Sequence, residues 1–280
     1  MTSRKLLLVG IDGLRLDDAL RPGVAPRFAS FVHNGTLHPM TMEVPTISGP
    51  GWSSILTGST HADHSVVDNS FHGHTLHCNA DILSRAFYAD QSRTTFAATG
   101  WPPIADPAGP GPIVSTRLDQ QRAGRHRLVV RDGETYGYRW ADGEIAAFSR
   151  LALREAGPDA SFVYLGEVDE AGHLHGGASR EYEEAIARVD AHLGILLDAV
   201  GARASLHDED WLVGITTDHG HLDEGGHGGG DAVLTRSFLA LSRFGGAQEA
   251  QRSGPQEPPA PAPREIRPDE VAGLLLAHLG

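Results

Sequence analysis

At 280 residues, 40% apolar and 21% charged, the chain can form one large α/β domain or two small ones around a buried core. Its formal charge of -13 argues against a nucleic-acid backbone or an anionic membrane as the main partner. Cys78 is the only cysteine, which excludes an intrachain disulfide and makes a reducing compartment, the cytoplasm, the simpler expectation. The apolar run Leu6 to Ile11 is too short for a signal peptide or a membrane span.

That run reads as a first buried strand, with Asp12-Gly13 directly after it. A carboxylate there sits where open α/β sheets place their ligands, although an Asp-Gly turn would read the same way. Pro22 to Asn34 is expected to be helical, with Asn34-Gly35 as its stop, and Thr36 to Val44 to be a second strand. Pro45 to Gly58 passes from extended residues through Ser48-Gly49-Pro50 into a short helix, since Pro fits a first helical turn. Ser48 then lies near the N-cap, where free N–H groups and the helix dipole favour negative charge. It is either a nucleophile or a plain cap.

Thr94 to Thr99 reads as a strand leading to Trp101, a residue suited to packing or to the wall of an entrance. Leu128 to Trp140, with Asp132-Gly133 at a turn, predicts a hairpin or an edge excursion whose Tyr136, Tyr138 and Trp140 share one packed face. Ala160 to Leu165 is a strand candidate followed by Asp169 and His173, four apart and able to close on one ion. Arg180 to Val200 carries one apolar stripe through Tyr182, Ile186, Val189 and Leu193. Its other face (Glu183, Glu184, Arg188, Asp190) is expected to be solvated.

Trp211 to Ile215 predicts a further buried strand, ending at Thr217-Asp218-His219 and a Gly-rich loop with His221 and His227. Carboxylate and imidazole together at a strand end suit a zinc-type ion, which takes N and O ligands. Ser237 to Leu241 suggests one more strand. Gly245 to Pro263 reads as a surface linker, and Pro268 to Leu279 as a closing helix.

Five segments in order resemble the alkaline phosphatase superfamily. They are Asp12 after the first strand, Thr46 to Trp52 (T-I-S-G-P-G-W), His64 to Asn69 (H-S-V-V-D-N), Asp169 to His173 (D-E-A-G-H) and Asp218 to His227. The branch they are most similar to is the nucleotide pyrophosphatase/phosphodiesterases. The resemblance implies a three-layer α/β/α sandwich around a mostly parallel central sheet, a single catalytic domain over 1–280, and two divalent ions of zinc type. By its implication Ser48 attacks phosphorus and binds one ion with Asp12, Asp218 and His219. Asp169, His173 and His227 hold the other, and Asn69 donates to a phosphoryl oxygen. His175 and His221 are expected beside the ions or in solvent.

This set of three Asp and three His is what two zinc ions need. The nucleophile segment departs from the Thr-Phe-Pro-Asn usual in the branch's diesterases, Thr46 is a rival nucleophile, and only seven residues separate His219 from His227. The expected reaction is hydrolysis of a small phosphate ester or nucleotide through a seryl-phosphate, with Asn69 and the Gly49 N–H holding equatorial charge. No obvious cation lies beside Ser48 apart from Arg15, which favours a phosphodiester or nucleotide pyrophosphate over a monoester. A sulfatase is not expected, because no Arg completes a C/S-x-P-x-R motif. A zinc-binding scaffold without catalysis is the alternative from another class.

Overall fold

Side chains alternate along each strand, so a strand covered by helices on both sides must be apolar throughout. β1 (Ser3–Ile11) meets this condition from Leu6 onward: Leu7, Val9 and Ile11 enter one core, and Leu6 and Leu8 the other. β5 (Ala160–Leu165) does the same, with Val163 and Leu165 on the first side and Phe162 and Tyr164 on the second. The other strands are β2 (Thr36–Thr41), β3 (Thr95–Thr99), β4 (His126–Val130), β6 (Glu209–Thr216) and β7 (Arg236–Phe244). They form one sheet in the order β2-β7-β6-β1-β5-β3-β4. Among the described residues only the β2–β7 and β6–β7 pairings are antiparallel, as expected of a mostly parallel sheet.

The computed structural model describes residues 2–245 and 263–280. Most of the linker expected at 245–263 lies outside them. On the first face pack α1 (Pro26–His33), α4 (Tyr138–Leu151) and α6 (Arg180–His207). On the second pack α2 (Ser48–Thr57), α3 (Ile82–Ala89) and α7 (Val271–Leu276), the last lying within the expected closing helix. α5 (Glu167–His175) follows β5. None of the described helices is long and apolar enough to cross a membrane.

Two expectations fail. Of the two forms expected at 128–140 the hairpin is absent: β4 is an edge strand paired in parallel with β3, and the chain then turns into helix at Gly133–Tyr136 and again in α4. The Asp132 side chain accepts from the Thr135 N–H and starts the first of these turns, a capping use of an acid that also suits a hairpin tip. Tyr136 and Trp140 are consequently 76% exposed rather than packed. The second failure is Asp190, which is buried on α6 instead of solvated. It accepts from the N–H groups of Arg27 and Phe28, satisfying free donors at the start of α1.

Another buried acid fixes the helix nearest the sheet's working end. Asp142 on α4 accepts from the N–H groups of Gly166 (3.0 Å) and Glu167 (2.9 Å), where β5 passes into α5. Burial pushes its carboxyl from the usual 3.8 up to about 8, although the two N–H groups pull the other way. Between those values the folded chain keeps a proton that the unfolded chain has released. Asp142 therefore contributes stability that is fully present below about pH 3.8 and lost as pH rises through about 8. Urea unfolding across that window should show Asp142→Asn losing less stability with rising pH than the parent. Parallel pH profiles for the two proteins would show that Asp142 ionises normally.

Candidate active site

Register alone brings three carboxylates together. Ile11 of β1 lies beside Leu165 of β5, and Gly10 lies beside Thr216 of β6, so the three adjacent strands end level with one another. Asp12 follows β1 directly, Asp218 stands two residues past β6, and Asp169 lies in the first turn of α5.

Asp12 is held from one side only. Its Oδ2 accepts from Trp52 Nε1 at 2.8 Å and from the Tyr164 hydroxyl at 2.7 Å. Trp52 reaches it across Gly10, where a Cβ would lie 2.4 Å from the indole ring. Asp218 Oδ1 accepts weakly from the Gly13 N–H at 3.4 Å. The remaining oxygens, Asp12 Oδ1 and Asp218 Oδ2, are buried without a hydrogen-bond partner. They stand 3.4 and 3.3 Å from His219 Nε2, and Ser48 Oγ is 3.3 Å from the same nitrogen. The Nδ1–H of His219 faces the Gly220 carbonyl at 3.1 Å, which leaves Nε2 as the free lone pair.

Ser48 opens α2 without capping it: Ile47 occupies the N-cap, and no side-chain cap bond is made. The plain-cap reading thus fails, and the hydroxyl is free beside the acids. Thr46 is committed elsewhere, donating to the Gly229 carbonyl (2.8 Å) and accepting from the Gly228 N–H (3.0 Å).

A second cluster adjoins the first. Asp169 Oδ2 lies 3.4 Å from His173 Nε2, and Asp169 Oδ1 lies 3.7 Å from His227 Nε2. The two imidazole Nε2 atoms are 2.9 Å apart. His227 gives its Nδ1–H to the Thr46 carbonyl at 2.7 Å, so its Nε2 is also a lone pair aimed inward. His221 is closer to Asp169 than either expected partner, with Nε2 2.6 Å from Oδ1. Its ring fits against Gly172, where a Cβ would fall 2.6 Å from it. The -D-H-G-H- spacing was the visible sign of this residue. His175 is exposed.

Asn69 and Trp101 line a cleft of about 380 Å3 beside Ser48, with Tyr138, Glu134 and Glu170. Asn69 Oδ1 accepts from the Gly49 N–H at 2.7 Å, which ties that backbone donor to the amide. Arg15 is not a phosphoryl-site cation. Its guanidinium binds the carbonyls of His221 and Gly177 (3.2 Å to the latter) and pairs with Asp223 at 2.9 Å.

The electrostatics call for positive charge. Burial, reinforced by Asp12 and Asp169, raises Asp218 well above the ordinary carboxylate range. Burial and then Asp12 raise Asp169 to about 7, against the pull of His173 and His227. Burial pushes His219 well below the usual imidazole value and His221 to about 4, so neither ring supplies a charge. Asp12, Asp218 and His219 can each offer an atom within 4.8 Å of the others, as can Asp169, His219, His221 and His227. Orphaned carboxylate oxygens among neutral imidazoles fit divalent cations of the type that takes N and O ligands.

Fold and cluster together define a member of the alkaline phosphatase superfamily. Within it, the chain belongs to the type I phosphodiesterase / nucleotide pyrophosphatase family, which it matches over residues 6–235. It is 27% identical to ectonucleotide pyrophosphatase/phosphodiesterase family member 7 of Mus musculus over 244 residues, 77% of this chain and 49% of that protein. The chain therefore spans about half the length of the curated relatives it matches. An inactive murine ectonucleotide pyrophosphatase/phosphodiesterase 5 in complex with AMP superposes with a TM-score of 0.67 at 17% identity, covering 99% of this chain and 95% of that one. Phosphonoacetate hydrolase from Sinorhizobium meliloti, in complex with phosphonoformate, gives 0.63 at 13% identity, covering 100% and 96%.

Thr46 orients His227 through its carbonyl and fixes the glycine loop through its hydroxyl, which makes its role separable from that of Ser48. Thr46→Val removes the hydroxyl bonds at nearly constant volume and should weaken zinc binding about tenfold, with Thr46→Ser restoring it. Calorimetric zinc titration of both variants checks this. Unchanged affinity in Thr46→Val would show that the loop holds its place without the hydroxyl.

Proposed function

We propose that the chain is a metal-dependent phosphohydrolase acting on small phosphodiesters or nucleotides, with Ser48 as nucleophile. The observation that carries this reading is an uncapped serine hydroxyl at a helix start, 3.3 Å from His219 Nε2 and among buried carboxylates with orphaned oxygens. Asp12, Asp218, His219 and Ser48 would hold one divalent ion, and Asp169, His173 and His227 a second, with zinc the expected metal. When bound, such ions lower the pKa of a coordinated hydroxyl and offset charge on phosphoryl oxygens.

The remaining steps belong to the chain. Ser48 Oγ attacks phosphorus in line with the departing alcohol oxygen, forming a seryl-phosphate that water then cleaves. The start of α2 sets its dipole toward the developing charge, but the Gly49 N–H, expected to hold equatorial charge, is given to Asn69 Oδ1 instead. Asn69 contributes an amide at the cleft edge, and losing one such donor typically costs about 3 kcal/mol of transition-state stabilisation. No Lys or Arg among the described residues lines the cleft, which favours a singly charged diester over a monoester dianion. The AMP complex of the murine relative supports a small nucleotide-like ligand for this fold.

The direct test is hydrolysis of bis(p-nitrophenyl) phosphate and p-nitrophenyl phosphate, with and without chelator. Turnover should favour the diester, vanish on chelation and return with zinc. Ser48→Ala should lose about a thousandfold in kcat while still binding zinc at both sites. Zinc binding with no turnover of either ester by the parent would mark a scaffold instead.

A further inference from the structure

The segment that carries Asn69 is held at both ends and open to solvent between them. Residues 67–70 are exposed, whereas Val66 and Phe71 on either side are buried in the second core. His64, wholly buried, fixes the leading end. Its Nδ1 accepts from the Val66 N–H at 3.0 Å, and its Nε2–H faces Ser54 Oγ of α2 at 3.0 Å. Asp68 tightens the turn by accepting from the Ser70 N–H at 2.8 Å. Phe71 fixes the trailing end from a backbone conformation that opposes it. Its φ is +57°, in the left-handed region that a bulky residue rarely enters. Glycine would suit that backbone better. What glycine could not supply is the ring, which packs 6.1 Å from Trp101 and 6.2 Å from His74 with the residue 3% exposed.

We infer that Phe71 is a positioning residue for phosphoryl transfer: its ring, pinned against Trp101, sets the turn so that the Asn69 amide meets the start of α2. This assignment rests on the phosphohydrolase reading and deepens it, adding a side chain that acts through another and does not itself reach the phosphoryl group. The contact it sets up is close. Asn69 Oδ1 accepts from the Gly49 N–H at 2.7 Å, and a Cβ on residue 49 would lie 2.8 Å from the Asp68 carbonyl oxygen. With Oδ1 so engaged, Nδ2 is the donor that the amide can turn toward a phosphoryl oxygen, in the cleft that Asn69 and Ser48 both line. An exposed Asn on an unanchored turn samples several orientations, and each donation then carries the entropy of ordering it. Packing that holds residue 71 in the left-handed region removes this freedom before substrate arrives. The same anchor reaches the acids, because Trp101 stacks at 6.2 Å on Tyr164, whose hydroxyl goes to Asp12.

A double-mutant cycle over Phe71 and Asn69 tests this, with the zinc-loaded full chain and bis(p-nitrophenyl) phosphate as substrate. Phe71→Ala should lower kcat about tenfold, leaving KM within about twofold and the calorimetric zinc affinity unchanged. Asn69→Ala should lower kcat about a hundredfold. In that background Phe71→Ala should lose less than about a further twofold, since no amide is left to orient. Phe71→Leu keeps a buried apolar anchor and guards against a Phe71→Ala chain that fails to fold. It should lose about threefold alone and nothing measurable beside Asn69→Ala. Partial unfolding would weaken zinc binding and lower kcat in both backgrounds, so it cannot imitate the coupling. A Phe71 loss that persists in full beside Asn69→Ala, or parental kcat in Phe71→Ala, would overturn this inference alone. Absence of turnover by the parent would overturn the phosphohydrolase reading and this inference with it.

Discussion

Three carboxylates are forced together at the ends of three adjacent parallel strands, and most of the surrounding structure answers to that repulsion. The ladders joining β5, β1 and β6 set Asp169, Asp12 and Asp218 at one level, so the acids cannot separate without breaking the sheet. Burial removes the water that would otherwise screen them. The protein half-satisfies two of the acids: Trp52 and Tyr164 bind one oxygen of Asp12, and the Gly13 N–H approaches one oxygen of Asp218. The inward oxygens of Asp12 and Asp218 are left for something positive that His219 and His221 do not provide, because burial holds both rings neutral. A site arranged in this way is stable in its charged form only with cations present, and metal binding there is linked to the stability of the fold.

Much of this was legible in the sequence because it depends on short-range pattern. Continuous apolar runs marked the central strands, and a carboxylate of the cluster stood within four residues of the end of each. The Asp218-His219 pair and the Asp169–His173 spacing each lie within one turn of chain. Less legible were features created by contacts between distant segments. Asp190 looks like one more charge on a solvated helix face, and only the packing of α1, more than 160 residues earlier, makes it a buried cap. Periodicity misjudged Tyr136 and Trp140 because alternation over a few residues suits both a hairpin and the start of two short helical turns.

The choice between Ser48 and Thr46 shows the same limit. Two hydroxyls two residues apart have nearly equal claims on paper. What separates them is the glycine loop 228–230, which folds back and engages the Thr46 hydroxyl, while Ile47 takes the N-cap and frees Ser48. His221 belongs to this class too. Its spacing was visible, but its contact with Asp169 needs residue 172 to lack a side chain, a condition set 49 positions away.

The residues that grip charge and those that line the cleft come from different parts of the fold. Asp12, Asp169, Asp218 and His219 are anchored by the central strands or the first turn after them, where hydrogen-bonded neighbours on both sides allow little movement. Trp101, Glu134 and Tyr138 come instead from segments following β3 and β4, at one margin of the sheet. Substitutions in those segments can alter the shape and charge of the cleft while the ladders that align the acids stay intact. Tyr164 links the two regions, giving its hydroxyl to Asp12 and its ring to Trp101. A change there would be felt at the buried carboxylates and in the wall of the cleft together.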